Sequence, residues 1–109
     1  MNMSNSFYAQ QNKIIYKNAV IVFGQSHQIA KAIEELSELI KELSRYLNDE
    51  NNKHQIIDEI ADAYIMLYQV RDIFGCKRVD AQIVEKTLRL KKRIMEKKGI
   101  PVKHHAETE

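Results

Sequence analysis

A chain of 109 residues is long enough for one domain with a single hydrophobic core. Hydrophobic residues make up 44 % and charged residues 29 %, the balance of an ordinary soluble globular protein. The net charge of +2 is too small to indicate nucleic-acid binding by itself, and the single cysteine, Cys76, excludes an intramolecular disulfide framework. Because the N-terminus is polar and no apolar run approaches the roughly 20 residues of a membrane span, we expect a cytoplasmic protein without membrane contact.

The first half of the chain predicts two helices. Segment one runs from about Tyr8 to Phe23 and ends at Gly24, although residues 19–23 also fit a β-strand. Segment two, from about Ser26 to Leu47, is the clearest helix, because its apolar residues recur every three or four positions: Ile29, Ile33, Leu36, Ile40, Leu43 and Leu47. The polar connection over residues 48–53 is short enough to make the helices on either side of it antiparallel neighbours.

The second half predicts two more helices and a tail. Segment three, from about His54 to Phe74, is apolar on nearly every side and is therefore expected to be central; Gly75 ends it. Segment four runs from an N-cap at Asp80 to about Lys98, with an inner stripe of Val79, Ile83, Leu90 and Ile94. The sequence thus predicts an all-α antiparallel four-helix bundle forming one domain over residues 1–99, followed by a disordered tail over residues 100–109. A chain of this size with so apolar a third helix is expected to bury more surface by dimerising.

Two acidic pairs are the most informative motif. Glu35-x-x-Glu38 lies in segment two and Glu59-x-x-Asp62 lies in segment three. Carboxylates three residues apart point the same way from a helix, and the second pair does so from a helix with almost no polar face. In an antiparallel hairpin the two pairs reach similar heights, so the four carboxylates can converge. Such a cluster repels itself unless a cation lies between its members, and Mg²⁺ accepts oxygen ligands of this kind.

Other interpretations of the acidic residues stay open at this point. Pairs such as Lys31–Glu35 or Glu38–Glu42 are typical of a solvated helix face. Asp58 suits the positive end of the helix dipole near the start of segment three. A structural ion pair with a lysine of segment four would also satisfy Glu59 and Asp62.

Segment four is strongly basic. Lys86, Arg89 and Arg93 share one face, and arginine on such a face binds phosphate in a bidentate manner. A solvated helix that complements its own dipole is the alternative. Since there is no glycine-rich phosphate loop and no recognised nucleic-acid-reading motif, phosphate binding would have to come from a metal and side chains. His27 and His54 lack the spacing of metal ligands.

Taken in order, these residues resemble the MazG-like members of the all-α nucleoside triphosphate pyrophosphohydrolase superfamily, whose signature is E-x-x-E followed after a hairpin by E-x-x-D. The resemblance also covers Gly24-x-x-x-Gln28, the run Asp62-Ala63-Tyr64-Ile65-Met66-Leu67 and the element Lys86-x-x-Arg89-Leu90-x-x-Arg93, which is similar to the last helix of small phage and Gram-positive members. It therefore extends from about Gly24 to Arg93.

The resemblance implies hydrolysis of a nucleoside triphosphate between its α and β phosphates, with Mg²⁺ or Mn²⁺ as cofactor and a homodimer or dimer of dimers as the assembly. It implies that Glu35, Glu38, Glu59 and Asp62 hold the metals, with Glu38 also orienting the attacking water. Lys86, Arg89 and Arg93 would bind the outer phosphates, and Gln28 would contact the base or sugar.

Two other functions compete with this one. A phosphoribosyl-ATP pyrophosphohydrolase of histidine synthesis shares the acidic hairpin, but the Lys-x-x-Arg-Leu-x-x-Arg ending fits the MazG-like group better. A non-catalytic helical module would instead bind a partner or nucleic acid through segment four, without any need for metal.

Overall fold

The computed structural model describes residues 3–101 and consists of four helices, with no strand in that range. They are α1 (Met3–Phe23), α2 (Gln25–Leu47), α3 (Lys53–Phe74) and α4 (Cys76–Lys97). The all-α prediction is confirmed, and residues 19–23 continue α1 instead of forming a strand. The tail predicted for residues 100–109 lies outside the described residues from position 102 onward.

Glycines set the helix boundaries, as the sequence predicts. The N–H of Gly24 still donates to the Val20 carbonyl at 2.9 Å, but its φ of 93° directs the chain out of α1 and into α2. Gly75, with a φ of 115°, does the same between α3 and α4. Glycine adopts these backbone angles without strain, whereas few other residues do. A single glycine is therefore enough to join one helix to the next.

The prediction that Asp80 caps the fourth helix is wrong. Because the positive φ of Gly75 ends α3 within a single residue, α4 begins at once with Cys76, and Asp80 lies inside it. The C-terminus of α4 has the Schellman arrangement that is typical of a helix ended by glycine. The N–H of Gly99 donates to the Glu96 carbonyl, and the N–H of Ile100 donates to the Met95 carbonyl.

The chain divides into two compact units, Met1–Gly75 with the first three helices and Cys76–Glu109 with the fourth. In the first unit, α2 and α3 have the most extensive contact, and α1 packs on both. Gln28 of α2 is hydrogen-bonded to Gln69 of α3, and Glu42 of α2 is hydrogen-bonded to Asn52, the residue before α3. Ala32, Ala63 and Met66 form the buried apolar centre of this seam.

Most of the apolar stripes are exposed in the single chain. In α2 the stripe residues Ile33, Ile40, Leu43 and Leu47 are exposed, and Leu47 reaches 82 % exposure. The same holds in α3 for Ile57, Tyr64, Leu67 and Tyr68, although α3 contacts both α1 and α2. No residue of α4 between Cys76 and Lys97 is buried.

Within residues 3–101, none of the helices combines the length and the apolarity that crossing a membrane requires.

Candidate functional site

Three carboxylates meet between α2 and α3. Glu35 comes from α2, while Glu59 and Asp62 come from one face of α3; each offers an oxygen, and these oxygens all lie within 4.8 Å of one another. All three residues are partly buried. We call Glu35, Glu59 and Asp62 the acidic cluster. Its oxygens are the ligand type that Mg²⁺ or Mn²⁺ accepts, so these side chains are able to hold such a cation.

Glu38, the fourth acidic residue of the predicted site, lies beside the cluster. Its carboxylate is 3.5 Å from the Lys41 ammonium and about half exposed. It is nevertheless close enough to contribute to the raised pKa of Glu59. The structure therefore brings three of the four predicted carboxylates together and leaves the fourth nearby and accessible.

The electrostatics of the cluster centre on Glu59. Partial burial raises the pKa of this carboxyl above its usual value, and the negative charges of Asp62 and Glu35 raise it further, with smaller contributions from Glu38 and Asp58. On α2, the Lys31 ammonium lies 3.6 Å from a Glu35 oxygen. The predicted Lys31–Glu35 ion pair is therefore present, although Glu35 also belongs to the acidic cluster. The pKa of Lys31 is raised mainly by its hydrogen bond to Glu34 and then by the charges of Glu34 and Glu35. Ionised Glu59 thus carries an electrostatic cost that a proton or a bound cation would relieve.

Gln28, predicted to contact a base or sugar, is buried and hydrogen-bonded to other side chains of the protein. It is 5 % exposed, its Nε2 donates to Oε1 of Gln69 at 2.7 Å, and its Oε1 lies 2.7 Å from Nδ1 of His27. Gln69 is equally buried, at 3 % exposure. Both groups of the Gln28 amide are therefore occupied by protein side chains.

Sequence reasoning missed Gln69 and the role of His27. Gln28 precedes Glu35 by seven residues, and Gln69 follows Asp62 by seven. Seven residues are almost two helical turns, so each glutamine lies on the same side of its helix as the carboxylate. This repeated spacing is the signal that could have identified the pair.

A second buried polar group holds the turn between α2 and α3. Asn52, the residue before α3, is 2 % exposed; its Nδ2 donates to the backbone carbonyl of Glu42 at 2.9 Å and to its carboxylate at 2.7 Å. Arg45 binds the other Glu42 oxygen at 3.3 Å and reaches Glu50 at 2.7 Å. The suggestion that Glu42 belongs to a solvated face is wrong, because this residue is buried against the turn.

The predicted phosphate-binding residues lie on α4. Lys86, Arg89 and Arg93 are all exposed, and the Arg89 guanidinium lies 3.8 Å from the Glu85 carboxylate, a loose pair in the same helix. Three exposed cations spaced three and four residues apart are available to an anionic ligand.

Comparison with protein-family models, with curated proteins and with solved structures gives no significant match for this chain.

Proposed function

We propose that this protein is a Mg²⁺-dependent nucleoside triphosphate pyrophosphohydrolase that cleaves the α–β phosphate bond and releases a nucleoside monophosphate and pyrophosphate. The observation that carries the proposal is the convergence of Glu35, Glu59 and Asp62 from two helices within 4.8 Å. The order of the motifs along the chain, with its resemblance to MazG-like enzymes, supplies the rest. In this proposal α2 and α3 form the antiparallel hairpin of a four-helix bundle.

The acidic cluster would hold Mg²⁺ or Mn²⁺, with Glu38 either completing the ligand set or acting on water. A bound cation supplies charge neutralisation at the phosphates and an acidified water. Hydrolysis at phosphorus depends mainly on positioning and electrostatic stabilisation. The exposed Glu38 carboxylate, held loosely by Lys41, is free to accept a proton from a water and orient it for attack.

Lys86, Arg89 and Arg93 would bind the outer phosphates of the nucleotide. Their support is chemical: all three are exposed cations on one helical face, and guanidinium groups bind phosphate through two parallel hydrogen bonds.

A nucleotide panel with Mg²⁺ tests the proposal directly. Canonical, deoxy and uracil-containing triphosphates and phosphoribosyl-ATP are incubated with the protein, and pyrophosphate and orthophosphate are measured separately. We expect pyrophosphate from at least one triphosphate, and none when EDTA removes the metal. Turnover of phosphoribosyl-ATP alone would assign the histidine-pathway reaction instead. Metal-independent ligand binding through α4 without any turnover would identify a binding module.

We also propose that the active form, in the cytoplasm, is a homodimer or a dimer of dimers. The support is the exposure of large apolar side chains along α2 and α3, among them Ile33, Ile40, Leu47, Tyr64 and Leu67. A second copy would remove this surface from water. Sedimentation velocity at micromolar concentration should give at least twice the mass of one chain; a monomer would contradict the assembly.

A further inference from the structure

A directional chain of hydrogen bonds connects α3 to His27 in α2. Nε2 of Gln69 faces the backbone carbonyl of Ile65 at 3.3 Å and the sulfur of Met66 at 3.8 Å. A backbone carbonyl only accepts, so the Gln69 nitrogen must be on that side. Oε1 of Gln69 therefore accepts from Nε2 of Gln28 at 2.7 Å, and this leaves Oε1 of Gln28 facing Nδ1 of His27 at 2.7 Å.

The chain of hydrogen bonds determines where neutral His27 carries its proton. Oε1 of Gln28 only accepts, so the nitrogen 2.7 Å from it must be an N–H donor. A neutral imidazole with its proton on Nδ1 has an unprotonated Nε2, which is then a hydrogen-bond acceptor. Gln28 and Gln69 are both buried, so the two amides are fixed by packing, whereas the His27 ring itself is exposed.

An aromatic ring lies next to this acceptor. Phe23, the last residue of α1, stacks on the His27 ring with the ring centres 5.7 Å apart and the planes inclined by 28°. Phe23 remains largely exposed. A planar ligand with an N–H group at its edge would find an aromatic face and a preset acceptor side by side.

The separation of His27 and Phe23 from the acidic cluster is one that a nucleotide can span. Gln28 precedes Glu35 by seven residues of α2, or about 10 Å along the axis at 1.5 Å per residue. Gln69 follows Asp62 by the same distance along α3. A nucleotide whose phosphates lie at the acidic cluster can extend along the seam toward Phe23 and His27.

We propose that His27 is the base-selecting residue of the nucleotide site described above, a role that rests on the proposed function. Its unprotonated Nε2 accepts a hydrogen bond from the exocyclic amino group of a nucleobase that stacks against Phe23. The preferred substrates are then nucleotides of amino-bearing bases such as cytosine or adenine, in preference to the oxo analogues uracil and hypoxanthine. Gln28 and Gln69 act as positioning residues, because they select the tautomer of His27 without touching the base.

The tautomer is tested first, without any nucleotide. Long-range ¹H–¹⁵N correlation spectra of the labelled protein show which ring nitrogen carries the proton, and the His27→Ala variant assigns the signals. We expect Nδ1–H for neutral His27 in the wild-type protein. Gln28→Met, or Gln69→Met if the first variant does not fold, should shift His27 toward the Nε2–H form that an unconstrained imidazole prefers. Nε2–H in the wild-type protein would overturn the proposal.

Base selection is tested by two matched pairs, CTP with UTP and ATP with ITP, in which an oxygen replaces the exocyclic amino group and the adjacent ring nitrogen gains a hydrogen. We expect kcat/KM for pyrophosphate release to be at least about tenfold higher for the amino member of one pair, the effect of a single hydrogen bond. The ratio should fall to about one in His27→Ala and in Gln28→Met. Equal rates in the wild-type protein, or an unchanged ratio in His27→Ala, would refute base selection by His27.

Binding of the monophosphates CMP, UMP, AMP and IMP separates base selection from the proposed reaction. Isothermal titration calorimetry should show CMP binding at least about tenfold more tightly than UMP, or AMP more tightly than IMP, with the difference lost in His27→Ala. If no triphosphate is hydrolysed but this difference is present, the reaction is wrong and base selection stands. If pyrophosphate is released but the two members of each pair bind equally well, the reaction stands and base selection by His27 is wrong.

Discussion

Replacement of Glu59 by glutamine should lower kcat/KM for Mg²⁺-dependent pyrophosphate release by more than about 100-fold. Glu59 supplies one of the three oxygens that converge between α2 and α3, and glutamine keeps its shape while removing its charge. Loss of a residue that merely supports a metal ligand costs about 10- to 100-fold, so loss of a ligand should cost more. The measurement is the rate of pyrophosphate release over a range of Mg²⁺ concentrations.

The same substitution should stabilise the metal-free protein. Burial and the neighbouring carboxylates raise the pKa of Glu59, so the folded chain holds this proton more tightly than the unfolded chain does. Stability is therefore lost as the pH rises from the ordinary glutamate value through the raised pKa, and glutamine does not titrate. In thermal unfolding experiments in EDTA, the stability of Glu59→Gln relative to the wild-type protein should increase over this pH interval. The variant should remain the more stable protein at neutral pH.

With magnesium present, the wild-type protein should be more stable than Glu59→Gln. At about 100 times its Kd, a cation that binds only the folded state adds about 2.7 kcal/mol to the free energy of unfolding. We expect this gain in the wild-type protein and little of it in Glu59→Gln. Lost turnover together with raised metal-free stability identifies a metal-binding residue, because damage to the fold would lower both.

Asp58→Asn is the matched control. Asp58 is the exposed neighbour of Glu59 on the same helix and lies outside the acidic cluster, and the change in charge is the same. It should keep its turnover and change stability by less than about 0.5 kcal/mol, because Asp58 is exposed and lies beyond the first turn of α3, to which the effect of the helix dipole is confined. Equal losses of activity in both variants would mean that net charge, and not the cluster, controls the rate.

The sequence was sufficient to predict the four helices and the three residues of the acidic cluster, because both depend on local spacing along the chain. The recurrence of apolar residues defines α2, and Gly24 and Gly75 mark helix ends because of their backbone angles. The spacing of Glu59 and Asp62 places them on one face of α3. The start of α4 was missed because an N-cap residue was expected where the glycine alone is enough.

The buried polar residues were not predicted, for a physical reason. Gln28 and Gln69 are 41 positions apart, and each is buried only because the other satisfies its amide. Hydropathy treats both as surface residues, as it does Glu42 and Asn52. An apolar stripe, in turn, indicates that a face tends to be buried but does not identify its partner, which is why the stripes of α2 and α3 remain exposed in one chain.

Asn52→Asp should destabilise the folded chain by about 3–5 kcal/mol, the cost of leaving a buried charge without compensation. The Asn52 amide donates to the Glu42 carboxylate at 2.7 Å, and both residues are buried. Aspartate would replace the donor by a second carboxylate at the same position. Asn52→Ala, which removes the whole side-chain amide without adding a charge, should cost about 1–3 kcal/mol. Urea unfolding at neutral pH measures all of these differences.

Two further variants test whether charge is the cause. Asn51→Asp places the same charge on the exposed neighbouring residue and should change stability by less than about 0.5 kcal/mol. Combining Asn52→Asp with Glu42→Gln restores a donor–acceptor pair in the reverse direction, so the double variant should recover much of the loss. A double variant less stable than Asn52→Asp alone would show that Glu42 stabilises the turn through Arg45, 3.3 Å away, more than through Asn52. Recovery would instead establish the Asn52–Glu42 contact as the interaction that holds the start of α3 against α2.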